Sequence, residues 1–348
     1  MKQVLCRIWI LIAVLTLSCE KNPTQITNAP NPPREYEWTL DTLSVPNAFQ
    51  LMMVDVWGSS ADDVYVTGFS SGARGKMFHY DGSSWEAVKL HVVEGGPFPN
   101  ILEFRAIWGS SSSNIYAAGA KNGDSLNIFL SFLIHYNGQQ WSEIPTNGKL
   151  LQAIWGSSPS DIWTGGIEGT LLHFDGTVIQ QYPLPDSIWI KSIKGFSTDD
   201  VYALAYSIGD FTRLTFYVFH WDGQTWDLQN KYVDVIEPPT FGAFALEIIG
   251  EDIYSVGYGG LFRKNRNDST WQNIFGSSTL LFGICGSSQD NMFVVGRNGR
   301  AYHFNGIDWY RYPEIAYSDI EYSCCWTDGK ELFIVGDNVS KSFALHGR

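Results

Sequence analysis

Five of the seven histidines in this 348-residue chain, His79, His135, His173, His220 and His303, share one position. Each stands three residues before the Gly of an Asp-Gly or Asn-Gly pair. Imidazoles at a fixed spacing suggest metal ligands first. Ligands must converge within ~2.0–2.2 Å of one ion, however, and equivalent positions of separate repeats do not converge. The five therefore read as structural groups that pack against the turn or bond to it, and no metal or cofactor is expected. Two acids, Asp55 and Glu247, align by spacing with Ala106, Ala153, Ser192, Gly283 and Ser323. Facing a common channel, they would be the candidates for acid/base or cation-binding work. Their repeats are too far apart for paired-carboxylate chemistry. Gly68-Phe69-Ser70-Ser71-Gly72 has the spacing of a nucleophile elbow. That device needs a helix after a strand, and a Gly-rich hairpin follows here. The chain has no His-Glu-x-x-His, no phosphate loop and no Asp-x-Asp triplet. No catalytic residue is assigned.

The cysteines carry equally little chemistry. Cys6 and Cys19 lie near the start, leaving Cys285, Cys324 and Cys325. Three is an odd number with no paired spacing, so no disulfide framework is legible, and small buried thiols are the expectation.

The elements behind these residues repeat. An aromatic residue followed three later by Gly marks six units: Tyr65/Gly68, Tyr116/Gly119, Trp163/Gly166, Tyr254/Gly257, Phe293/Gly296 and Phe333/Gly336. Tyr202/Ala205 makes a seventh. Seven residues before the aromatic stand Gly58, Gly109, Gly156, Gly195 and Gly286, with Trp326 in that slot of the last unit and Gly250 closer in unit five. Within a unit the chain reads as four short strands. The Asp-Gly and Asn-Gly pairs (Asp81-Gly82, Asn137-Gly138, Asp175-Gly176, Asp222-Gly223, Asn305-Gly306) predict type I′ hairpins before a Trp-led fourth strand. The seventh unit ends after three strands, and Glu35 to Leu40 looks like its missing fourth. The expected fold is all-β: a seven-bladed β-propeller of four-stranded antiparallel blades, spanning 35–348, its last blade closed by the N-terminal strand. Composition agrees, with 14 Trp, 34 Gly and only 17% charged residues. The net charge of −13 argues against a nucleic-acid surface.

The repeat resembles the kelch and galactose-oxidase type of propeller, with mostly one Gly where kelch has two. Asp81-Gly82-Ser83-Ser84-Trp85 is similar to the Asp-box of sialidase-like propellers, with Asp and Gly adjacent here. The whole pattern resembles bacterial envelope propellers built on W-G-S-S…H-Y-D-G-x-x-W units. The resemblance implies fold and carries little about activity.

Lys2 and Arg7 precede a ten-residue run, Ile8 to Leu17, whose only polar member is Thr16. That is the build of a signal peptide over 1–18, too short to span a bilayer. Leu15-Thr16-Leu17-Ser18-Cys19 resembles a bacterial lipobox, which implies lipidation of Cys19. Residues 19–34, polar and holding Pro23, Pro30, Pro32 and Pro33, then read as a disordered tether. The expected location is the bacterial cell envelope, at the outer membrane.

Departures from the repeat concentrate on one side. From aromatic marker to turn the spacing is 12 residues in units three and six, but 16, 21 and 20 in units one, two and four. The added segments (Ala120 to Ser131, Ser207 to Thr215) and the long inter-unit connections (Lys89 to Glu103, Asn230 to Phe244) emerge on one face of a four-stranded meander. Variable loops on a rigid scaffold are where binding is expected. Phe98, Phe129, Phe132, Phe211, Arg213, Tyr232 and Phe241 supply aromatic and guanidinium groups there, either as contact residues or as a roof over the ring. The expected function is a monomeric, lipid-anchored, non-catalytic binding or assembly module for an envelope protein or glycan. The rival is a carbohydrate-active enzyme, sialidase-like or otherwise, with its site at the ring centre.

Overall fold

The computed structural model describes residues 34–45, 50–70, 74–90, 101–122, 129–209, 213–234, 239–338 and 340–348. All 28 elements among them are β-strands, grouped as seven antiparallel sheets of four. Blade one runs outward through Leu51–Ser60, Asp63–Ser70, Arg74–Tyr80 and Trp85–Ala87. Second strands such as Asp161–Gly166 and Asn291–Gly296 are buried along their whole length, because each is covered by a blade on either side. Blade seven consists of Glu321–Thr327, Leu332–Asp337, Ser342–Gly347 and the N-terminal strand Trp38–Leu43. The closing strand pairs Trp38 with Gly347 and Leu43 with Ser342. It therefore lies about three residues later than the run Glu35 to Leu40, although Glu37 and Arg348 still exchange both backbone hydrogen bonds.

Three sequence expectations are corrected by the register. The Asp-Gly turns are not type I′, since only their glycines take positive φ, between 87° and 91°. The preceding Asp or Asn instead accepts hydrogen bonds from two backbone amides of its own turn. Asp81 Oδ1 receives Ser83 N and Ser84 N at 2.9 Å each, and Asn137, Asp175, Asp222 and Asn305 repeat the pattern. These bonds, with that from the Ser83 hydroxyl first, hold the Asp81 carboxyl down at about 2. Second, Trp326 pairs with Phe333 as Trp57 pairs with Tyr65, so it fills the Trp position and not the Gly position. Third, Glu247 pairs with Tyr254 and occupies that same Trp position; Ala245 is the residue level with Asp55, and in blade seven that residue is Cys324 and not Ser323.

Those first-strand positions make the joints between blades. A Cβ on Gly58 would lie 2.9 Å from the Trp326 ring of the previous blade, and one on Gly109 would lie 2.6 Å from Trp57. Trp108 and Trp155 sit in the same way against Gly156 and Gly195. Only a residue without a side chain admits the ring so closely. The other three joints use different chemistry. Lys194 and Glu247 form an ion pair at 2.8 Å between blades four and five. Ile249 reaches over Gly286 between blades five and six. A disulfide joins Cys285 to Cys325 between blades six and seven, with Cα atoms 5.7 Å apart. The expectation of unpaired thiols thus fails for two of the three cysteines. The pair are 40 apart in sequence, and only ring geometry brings adjacent first strands together.

Candidate functional site

The repeated histidines are structural. His79, His135, His173, His220 and His303 each stack on the aromatic marker of their own second strand, at 4.2–4.4 Å between ring centroids. Nε2 of each bonds to the Asp or Asn that opens that strand: Asp63, Asn114, Asp161, Asp200 or Asn291, at 2.5–2.8 Å. His346, outside the repeat pattern read from sequence, does the same between Phe333 and Glu331. In blade five Arg263 takes the place, opposite Tyr254, and bonds Asp252 at 2.8 Å. The Ser of the Gly-Ser turn adds a further bond to the acid, as from Ser59 to Asp63 at 2.5 Å. Burial works to raise the Asp63 and Asp161 carboxyls, but the histidine and serine bonds outweigh it and leave both lowered. Among the described residues no three His, Cys, Asp or Glu side chains gather as a metal site.

Gly68-Phe69-Ser70 is the end of a strand whose partner begins at Arg74, so no elbow forms. Asp55 and Glu247 are also committed to the scaffold. Asp55 Oδ2 accepts the Ile107 amide of blade two at 2.9 Å, Oδ1 accepts Val56 N, and the Cys324 thiol donates to Oδ1 at 3.3 Å. Ser192 makes the equivalent inter-blade bond to Leu246 N at 3.1 Å. Burial pushes the Asp55 carboxyl up despite these bonds, and it pushes the Cys324 thiol up as well. Glu247 holds Lys194 and the Ile248 amide. Asp55 and Glu247 therefore serve separate joints.

The loop face has the expected asymmetry. In blade two the second and third strands, Asn114–Asn122 and Phe129–Tyr136, extend well beyond their equivalents Asp161–Gly166 and Leu171–Phe174 in blade three. Blade four is similarly long. Of the residues expected on this face, Phe129 is exposed at the start of its strand and Arg213 is exposed just before the strand Leu214–Trp221. Phe132, Tyr232 and Phe241 are buried and cannot be surface contacts as they stand. Phe132 packs on Phe104 at 5.9 Å, and Tyr232 meets Phe241 edge-on at 4.9 Å. They are aromatic because they fill the gaps between long blades. Phe98, Phe211 and Cys19 lie outside the described residues.

Sequence reasoning missed the channel mouth. Six first strands carry a bulge near their start, where the chain enters from the loop face. The bulged residues are Val54, Arg105, Gln152, Lys191, Phe282 and Ser323, and Phe244 holds the place in blade five. All line a central channel of about 470 Å³. Arg105 pairs with Glu103 at 2.6 Å and stacks on Phe69 at 4.2 Å. Lys191 lines the channel and is open to solvent there, while the surrounding protein first and then the Arg105 charge lower its ammonium pKa. These residues stand one before the Asp55/Ala106/Ala153/Ser192 column, so a fixed offset would have found most of them.

The molecule is thus a seven-bladed propeller with one plain face of short pinned turns and one elaborated face around a channel mouth. No protein-family model and no curated protein matches the sequence. Solved structures share its fold. A YCF48 structure, described as bound to D1 peptide, superimposes with a TM-score of 0.63 at 13% identity, covering 91% of this chain and 98% of the other. YCF48 from Cyanidioschyzon merolae superimposes with a TM-score of 0.58, again at 13% identity, over 88% of this chain and 98% of the other.

Proposed function

We propose that this chain is a non-catalytic binding or assembly module for a protein partner, held in the bacterial envelope by lipid on Cys19. The observation that carries the reading is the concentration of extended strands and long connections on one face, opposite a face of short turns. A similar propeller that is described as bound to a peptide supports a protein partner. The channel carboxylates Asp55 and Glu247 are engaged in inter-blade bonds, so these two do not form the acid/base pair that the enzymatic alternative would draw from the channel. The Cys285–Cys325 disulfide suits an oxidising compartment outside the cytoplasm.

A photo-crosslinking residue placed at Phe129 or Arg213 should capture an envelope protein, whereas one at Ser83 on the plain face should not. Capture from Ser83 alone would overturn the assignment of the binding face. The anchor has its own test: Cys19→Ser should move the protein from the membrane fraction to the soluble one, and retention at the membrane would refute the lipid.

A further inference from the structure

The six bulge residues and Phe244 divide the channel mouth chemically. Arg105, Gln152 and Lys191 come from consecutive blades two, three and four and form a polar arc. Phe244, Phe282 and Val54 lie on the other side, from blades five, six and one, with Ser323 of blade seven between the last two. Phe244 and Phe282 meet edge-on at 5.1 Å, both half-buried, and Tyr258 extends that wall at 5.5 Å from Phe244. Two groups on the polar arc lack a hydrogen-bond or ion-pair partner among the described residues. The Gln152 carboxamide oxygen is buried with no donor near it. Lys191 has no carboxylate within ion-pair reach, unlike Lys194 and Arg105 beside it. The unmatched Gln152 oxygen, being buried, carries a desolvation penalty of about 1–3 kcal/mol, while the exposed Lys191 ammonium is left to solvent. An open donor and an open acceptor on adjacent blades, in a channel that also has an apolar wall, make a site with a defined complement.

We infer that the channel mouth on the loop face binds a peptide carboxylate flanked by an apolar side chain. The carboxylate is received by Lys191 with Arg105 beyond it. The Gln152 oxygen takes the neighbouring peptide N–H, and the apolar side chain rests on Phe244 and Phe282. The channel, at about 470 Å³, falls in the range of ~300–1,000 Å³ typical of ligand pockets. A whole domain cannot enter it, but a chain end or a single acidic side chain can. Although the net charge of −13 works against anions at long range, the Lys191 and Arg105 cations at the channel mouth favour an anionic group over a neutral one there. This inference rests on the protein-binding reading above and narrows it to one site.

The test uses the full chain and four fluorescein-labelled heptapeptides of sequence Gly-Ser-Gly-Ser-Ala-Phe-Leu. One ends in a free carboxylate and one in an amide; the other two are amides with Glu or Gln replacing Ala. Fluorescence anisotropy should show the free acid, the Glu peptide or both binding about tenfold tighter than the uncharged forms, the scale of one charged hydrogen bond. Which of the two wins tells whether a terminal or a side-chain carboxylate is the ligand. Lys191→Met should erase that gap with an unchanged circular dichroism spectrum. Gln152→Leu, which leaves every charge in place, should weaken all four peptides. Equal binding of charged and uncharged peptides, a gap that survives Lys191→Met, or no binding at all would overturn the site. So would binding of an oligohexuronate in preference to every peptide. If partners cross-link on the loop face while the peptides show no gap, the site fails and the protein-binding reading stands. If the gap appears but no partner cross-links, the converse holds.

Discussion

His303 shows why a repeated imidazole is a structural part. It is fully buried, stacks on Phe293 with a 7° interplanar angle and bonds Asn291 at 2.8 Å, with Arg34 nearby. Burial, and then the Arg34 charge, lower its pKa to about 4. The folded state therefore resists a proton that the unfolded chain accepts below its ordinary value of ~6.5. Stability from this group is fully present above pH ~6.5 and is lost as pH falls towards 4, by roughly 3 kcal/mol at most. Urea midpoints measured from pH 4 to 7 should rise with pH, and the rise should shrink in His303→Gln; an equal rise in both would exclude His303 as its source. Asp161 is the complementary case, bonded by both His173 and Ser157. Asp161→Ala strands both partners and should cost about 1–3 kcal/mol in chemical denaturation, and a midpoint within error of the parent would show the network to be dispensable.

At the scale of strands and blades, the fold was legible because its signals are local and repeated. Tyr65/Gly68 and its copies mark second strands, and the Asp-Gly turns end third strands. Seven copies of a weak pattern make a strong one. What escaped was anything set by neighbours across a joint. Lys194, Glu247 and Cys285 each replace a Trp; the offset from the Gly places the first and last, but only strand register places Glu247 and shows which groups meet across a joint. The unit-five turn is shorter, so counting from the Gly misplaced Glu247 by two residues. The channel mouth was missed for a related reason: a bulge shifts the register, and period-two reading fails there. The Trp-on-Gly joints make a direct prediction. Gly109→Ala puts a methyl 2.6 Å from the Trp57 ring, which should cost about 1–3 kcal/mol by overpacking. Gly276→Ala, where nothing lies within 4 Å, is the matched control. Thermal midpoints should fall for the first and hold for the second; equal midpoints would mean the joint yields without cost.

For the whole ring, closure depends on pairing residues 38–43 with 342–347, and on the disulfide one joint away. Each blade remains a separate four-stranded sheet, and closure covers the apolar faces that the two end blades of an open string would expose. Cys285→Ser should lower stability by about 2–4 kcal/mol. Reductant should do the same to the parent and nothing further to the variant, measured by denaturant unfolding. A parent indifferent to reductant would argue that the bond adds nothing to the ring. The closing strand also fixes where the chain enters and leaves the ring. Third strands run towards the plain face, so Arg348 finishes there, its guanidinium on the Tyr80 hydroxyl beside the Asp81 turn. Arg34 is pinned at the same face by Asn305 and Asp308 of the blade-six turn. Both ends of the folded ring thus leave from the side opposite the channel mouth. A fusion, an affinity tag or a surface attachment at either end starts from the plain side, so a molecule immobilised by its termini offers its loops and its channel to the solution.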